Sequence, residues 1–247
     1  MATKLGSVVG YRSGIYNGYK VIGTQTLGLR GLVLWLKFNE GSGSIAYDSS
    51  FYNNHGTVHG ATWVNGKFGK ALSFDGVDDY VDCGNDFTSI SAEFTIELWM
   101  KTSDTSDTRT PISYATTHSD NEILLYNYKN FGLYVGNSAV GTGVSANDGK
   151  WHHIVWTWKS SGGETKLYKD GSLVYSGTLQ SGYTINHGTD RRLIIGQEQD
   201  SVGGSFQTSQ AFNGIIDEVR IYNRALSENE IKMLYYNRIG AVPSKTI

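Results

Sequence analysis

Between residues 32 and 222, apolar positions come in short runs separated by turn residues, and where a period is legible it is two. Residues 32–38, Leu-Val-Leu-Trp-Leu-Lys-Phe, read as a strand with one half-polar end. Residues 71–74 read as another, running into the turn pair Asp75-Gly76. Residues 94–100 alternate, with Phe94, Ile96, Leu98 and Met100 on one side and Thr95, Glu97 and Trp99 on the other. Residues 153–158, 193–195 and 215–222 continue the series. Residues 165–169 and 172–175 flank Asp170-Gly171, the dipeptide that a type I′ hairpin turn demands. One segment breaks the pattern. Ser227-Glu228-Asn229-Glu230 is a capping box followed by Ile231, Leu234 and Tyr235, so a short helix over residues 228–237 is expected to cover a sheet edge. The expected fold is all-β, an antiparallel sandwich or jelly roll with one short C-terminal helix.

One boundary is visible, near Gly31. Residues 1–30 form an arm with Lys4, Arg12, Lys20 and Arg30, no acid, and repeated glycines. The apolar groups Val8, Val9, Ile15, Tyr16, Tyr19, Val21 and Ile22 are costly to leave in water, so the arm is expected to dock on a neighbouring subunit of a homo-oligomer or larger assembly. Residues 31–240 are the sandwich and 241–247 a tail. Net charge is -2, from 21 basic and 23 acidic residues, which disfavours a nucleic-acid partner. The single cysteine, Cys83, excludes an internal disulfide and a thiolate zinc site. No stretch approaches the roughly 18 apolar residues of a membrane span, and residues 1–30 hold no apolar signal core.

The segments 72–81, 94–100, 151–155 and 214–227 together resemble concanavalin A-like, laminin-G-like domains, over some 200 residues. Inside that resemblance lies a narrower one, to pentraxins. Ser113-Tyr114-Ala115-Thr116 followed by Asp120-Asn121-Glu122-Ile123-Leu124 is similar to the pentraxin segment that supplies two calcium ligands. Residues 196–204, Gly-Gln-Glu-Gln-Asp-Ser-Val-Gly-Gly, with Phe206 and Gln210 beyond them, resemble its calcium loop. The resemblance implies that Asp120, Asn121, Glu198, the Gln199 carbonyl and Asp200 hold a first Ca²⁺. It implies that Glu198, Asp200 and Gln210, helped by Gln207, hold a second. Gln207 stands where the family has an acid, so the second ion is expected to bind more weakly. Val155 replaces the family's cysteine, and Ala139 lies near the position of a choline-binding glutamate. Tyr126 and Tyr134 match the tyrosines that flank the ligand.

The residue chemistry agrees with a calcium site on its own terms. Ca²⁺ takes six to eight oxygens from carboxylates, amides and carbonyls, and these segments supply that set. A weaker second metal site can be drawn from Asp48, Asn53, Asn54 and Asp217, although turn chemistry accounts for residues 48–54 equally well. The six histidines show no zinc spacing, and His152 and His153 point to opposite strand faces. No catalytic residues are expected. A glycosidase needs two carboxylates about 5–9.5 Å apart. Glu93 and Glu97 are four apart in a strand, about 13 Å, and Asp217 and Glu218 are expected to face opposite ways. The expectation is a calcium-dependent, lectin-like module for glycans or phosphate- and carboxylate-bearing ligands, on an extracellular, virion or cell surface. The alternative is a purely structural subunit of a fibre, tail or capsid-surface assembly joined through the arm, and a minor alternative is a glycoside hydrolase on the same fold.

Overall fold

The computed structural model describes residues 29–236 together with two short strands of the arm, β1 (Gly14–Tyr16) and β2 (Tyr19–Val21), which pair antiparallel with each other. The rest of the arm and the tail lie outside the described residues. Then follow β3 (Leu32–Leu36), β4 (Ile45–Ala46), β5 (Gly56–His59), β6 (Thr62–Asn65), β7 (Lys70–Asp75), β8 (Tyr80–Asp82) and β9 (Glu93–Lys101). The series continues with β10 (Ile112–Thr116), β11 (Ile123–Tyr126), β12 (Gly132–Val135), β13 (Ser138–Gly141) and β14 (Trp151–Lys159). It closes with β15 (Glu164–Lys169), β16 (Ser172–Thr178), β17 (Arg191–Ile195), β18 (Asn213–Tyr222) and the helix α1 (Glu228–Tyr235). One sheet runs β13-β12-β11-β10-β17-β8-β5-β4 and the other β16-β15-β14-β9-β18-β7-β6, with β3 paired to the far end of β18.

The core lies between the sheets. Phe94, Ile96, Leu98 and Met100 of β9 meet Ile154, Trp156 and Trp158 of β14 from one side, and Ile112, Tyr114, Leu133, Val135, Leu193 and Ile195 from the other. The indole N–H groups of the two core tryptophans are satisfied, Trp156 Nε1 by Thr165 Oγ1 at 2.8 Å and Trp158 Nε1 by Leu179 O at 2.7 Å. The Asp170-Gly171 turn has φ of +53° and +75°, the pair of positive angles that a type I′ hairpin needs. Phe38, at φ +52°, leaves the strand form, so β3 stops two residues short of the expected run.

The helix begins where its capping box places it. Ser227 Oγ accepts from Glu230 N and Glu230 Oε2 accepts from Ser227 N. It covers a sheet face rather than an edge. Ile231 and Leu234 pack with Val155, Tyr168 and Tyr222, which belong to the interior strands β14, β15 and β18. Tyr235 stacks on Trp99 of β9 at 5.7 Å. For that reason both sides of the 94–100 alternation are buried, although only one faces the core between the sheets.

Candidate functional site

The outer face of the β13-to-β4 sheet is set by alternation. Ile112 and Tyr114, Ile123 and Leu125, and Leu133 and Val135 turn inward, so Ser113, Tyr126 and Tyr134 turn outward. The chain leaving β17 folds back over this face instead of continuing away from it. Ser113 Oγ donates to Gln197 O at 2.7 Å. The Gln199 amide donates to Ser113 Oγ (2.9 Å), Ser113 O (3.2 Å) and Arg192 O (3.2 Å). Gln199 Oε1 accepts from Gly203 N at 2.8 Å, closing the loop on itself. The buried Gln199 side chain is therefore committed to shaping the loop, and its main-chain carbonyl is the group left for an ion.

This fold-back brings together most of the residues expected to hold calcium. Glu198 is buried and its Oε2 has no hydrogen-bond partner. Its carboxyl is pushed up to about 7, first by burial and then by the charges of Asp200 and Asp120, while the Gln210 side chain opposes the shift. Gln210 stands on a short helical turn (Thr208–Gln210), and its buried Oε1 is also unpartnered. The Gln207 amide donates to Asp200 Oδ2, and Asn121 Nδ2 donates to Asp120 Oδ1 at 3.0 Å. Tyr126 and Tyr134 meet edge to face with ring centroids 6.0 Å apart. Burial raises the Tyr126 phenol, the neighbouring Tyr134 adds to this, and hydrogen bonding with the Gln210 and Thr108 side chains works against it. Ala139 pairs with Tyr134 across the β12–β13 hairpin, leaving a methyl group there. The buried orphan oxygens of Glu198 and Gln210, among carboxylates that repel, fit a hard divalent cation held by oxygen alone.

Asp48, Asn53, Asn54 and Asp217 are given separate duties. Asp48 staples its own loop, accepting from Trp35 N (2.8 Å), Ser50 N (2.8 Å), Ser50 Oγ (2.6 Å) and Asn54 N (2.9 Å). Asn53 takes a positive φ, and the Asn54 amide reaches Val33 O at 3.0 Å. Asp217 instead accepts from Phe68 N at 2.9 Å, holding the β6–β7 turn over Trp99. Its Oδ1 is unpartnered, and burial, ahead of the charge of Glu218, pushes its carboxyl up to about 7. Turn chemistry accounts for the hydrogen bonds of residues 48–54, and no hydrogen bond joins Asp217 to them.

A bulge in β18 corrects another expectation. Asp217 pairs with Trp99 and Arg220 with Glu97, so β18 carries one extra residue there, and Glu218 sits at φ +52°. Asp217 and Glu218 consequently both turn to the helix-covered face, where Arg220 binds Glu218 and both Glu97 oxygens (2.8 Å each) and lies 4.5 Å over the Trp35 ring. His153 Nε2 meets Glu97 Oε1 at 3.0 Å in this cluster. His152, on the opposite strand face as expected, lies between Asp148 and Asp170 at 2.9 and 2.8 Å.

Two features escaped the sequence reading. Among the described residues, the trio of acids whose ligand oxygens all lie within 4.8 Å of one another is Asp75, Asp78 and Asp79. Their spacing in Asp75-Gly76-Val77-Asp78-Asp79 was the available signal. Arg109 ties this loop to the Gln207–Gln210 segment, its Nη1 donating to Gly76 O, Thr208 O and Ala211 O at 2.8 Å each.

Comparison with known proteins gives concordant results. The model of the Pentaxin family matches residues 71–243. The rat "Sushi, von Willebrand factor type A, EGF and pentraxin domain-containing protein 1" is 42% identical over 143 residues, 57% of this chain and 4% of that protein. Human neuronal pentraxin-2 is 38% identical over 141 residues, 56% of this chain and 32% of that protein. The chain thus spans a third or less of these relatives. Among solved structures, domain 4 of AbnA, a GH43 extracellular arabinanase from Geobacillus stearothermophilus, in complex with arabinotriose, superposes with a TM-score of 0.63 at 20% identity. It covers 83% of this chain and 98% of that one. The heptameric SAP-like pentraxin of Limulus polyphemus gives 0.54 at 21% identity, covering 67% and 81%. At these identities the structural likenesses establish the fold, a concanavalin A-like β-sandwich.

Proposed function

The chain belongs to the pentaxin family, and from that premise we propose that it is a calcium-dependent, lectin-like binding module for glycans or ligands bearing phosphate or carboxylate groups. The observation that carries this reading is the pair of buried, unpartnered oxygens, Glu198 Oε2 and Gln210 Oε1, at the fold-back loop. Asp120, Asn121, Glu198, the Gln199 carbonyl and Asp200 would hold one Ca²⁺. Glu198, Asp200, Gln210 and Gln207 would hold a second, more weakly. When bound, calcium supplies open coordination positions to paired ligand oxygens. The chain's own contribution is to hold the donors on a pinned loop and to offer Tyr126 and Tyr134 as an apolar wall with hydroxyl handles. The arabinotriose complex of the AbnA domain supports a sugar as one ligand class on this architecture. No residue is assigned a catalytic role: Glu97, Asp217 and Glu218 are buried on the helix-covered side.

Assembly into a homo-oligomer on an extracellular, virion or cell surface is part of the same proposal, supported by the family and by the heptameric neighbour. The binding test is retention of the full chain on glycan and phosphoethanolamine resins in calcium, with elution by chelator. Glu198→Gln with Asp200→Asn should abolish retention. A calcium-stabilised wild type melts higher, by about 2.7 kcal/mol of added stability at a hundredfold excess over Kd. A melt indifferent to chelator, with no retention on any resin, would remove the basis of the proposal.

A further inference from the structure

We propose a separate cation site in the connection between β7 and β8, formed by Asp75, Asp78 and Asp79 with the Gln197 side-chain oxygen. The loop is wound tightly enough to make the three carboxylates neighbours, all within 4.8 Å. Gly76 takes φ +79°, Asp75 Oδ1 accepts from Val77 N at 2.8 Å, and Asp79 Oδ2 accepts from Asp75 N at 2.9 Å. These bonds occupy one oxygen of Asp75 and one of Asp79. Among the described residues, the second oxygen of each, and both oxygens of Asp78, carry no hydrogen bond. Asp75 and Asp78 are exposed while Asp79 is buried, so the cluster is open on one side and anchored on the other. Burial, and then the charges of Asp75 and Asp78, raise the Asp79 carboxyl, while the hydrogen bond from Asp75 N opposes the shift.

The second observation comes from the opposite strand. β8 pairs with β17, so residues just before β8 lie beside those just after β17. Gln197 is wholly buried and turns its amide to this loop, its Nε2 3.5 Å from Val77 O, and its Oε1 has no partner. A buried amide oxygen without a donor is expensive to maintain. On a buried side chain whose amide reaches the loop of three carboxylates, a cation is a group that would satisfy this oxygen and reverse their repulsion. The donors are all oxygen, which suits a hard cation such as Ca²⁺. Arg109 bonds Gly76 O and is itself paired with Asp104 at 3.3 Å. The site shares no ligand with the proposed calcium set of the fold-back loop, although Gln197 is a residue of that loop, next to Glu198. It connects to it through Arg109, which also holds Thr208 O and Ala211 O.

The test is calorimetric titration of chelator-stripped full chain with Ca²⁺ alone. Four proteins are compared: wild type, E198Q/D200N, D75N/D78N and the quadruple variant. Asp75 and Asp78 are exposed, so their isosteric replacement leaves folding intact, and thermal melts check this. The expected result is that E198Q/D200N still binds calcium and that adding D75N/D78N weakens this binding at least tenfold. D75N/D78N alone should keep calcium-dependent resin retention. Absence of calcium binding in E198Q/D200N, or binding there that D75N/D78N leaves unchanged, overturns the inference. Failure of the lectin reading would look different: retention would be indifferent to Glu198 whatever the titrations show.

Discussion

Gln207→Glu changes the sign of an interaction according to whether calcium is present. The Gln207 amide donates to Asp200 Oδ2, and both residues are exposed. In the variant a carboxylate replaces the donor. Two unit charges about 4 Å apart repel by about 1 kcal/mol in water and about 4 kcal/mol at an effective dielectric near 20. The exposure of the pair favours the lower figure, and the lost hydrogen bond adds about 1 kcal/mol. In chelator the variant should therefore lose about 2 kcal/mol, a fall in Tm of about 4–8 °C for a domain of this size. In calcium the new carboxylate adds charge to the weaker ion's ligand set, and that ion's Kd should fall at least tenfold. Scanning fluorimetry in chelator and in saturating calcium, with calorimetry for the affinities, reads both effects. An equal Tm loss in both conditions, or an unchanged Kd, would refute the assignment of Gln207 to an ion.

Removing Arg220 leaves Glu97 buried with only His153 for company, so Arg220→Ala should cost about 3–5 kcal/mol in urea unfolding. Burial raises the Asp217 carboxyl from its ordinary range near 3.8 to about 7 in the folded state. Its contribution to stability is therefore full below about 3.8 and is lost as pH rises through 7, with a ceiling of about 4 kcal/mol. Calcium-free protein should lose stability between about pH 4 and pH 7, with Glu198 acting in the same direction, and Asp217→Asn should flatten the slope; a flat wild-type profile would count against both shifts. Ser227→Ala removes the helix cap and should cost about 1 kcal/mol, visible as a lower denaturation midpoint at unchanged slope.

Much of the sandwich was legible because its signals are local. Asp170-Gly171 fixes a turn by its own φ preferences, and Ser227 with Glu230 starts a helix wherever it finally lies. What covers what was not legible. The helix docks on Val155, Tyr168 and Tyr222, contacts that arise only when three distant strands are side by side. The bulge at Glu218 inverts a side-chain direction that strict alternation would assign otherwise. At the loop, residue types could be matched to a family pattern, but its route could not. Ser113, an unremarkable strand serine in sequence, is the post to which Gln197 and Gln199 are tied. The Asp75, Asp78 and Asp79 grouping was visible as spacing, whereas the orphan amide of Gln197 required the β8–β17 pairing.

The sandwich is two-sided: the helix occupies the outside of one sheet and the fold-back loop the outside of the other. Copies joined edge to edge around a rotation axis normal to the sheets would all aim their loops toward the same half-space. A surface bearing many repeats of one weakly held group would then meet an array, and each engaged loop would raise the effective concentration of the next. Selectivity in such an array follows the spacing of the target groups as much as their chemistry.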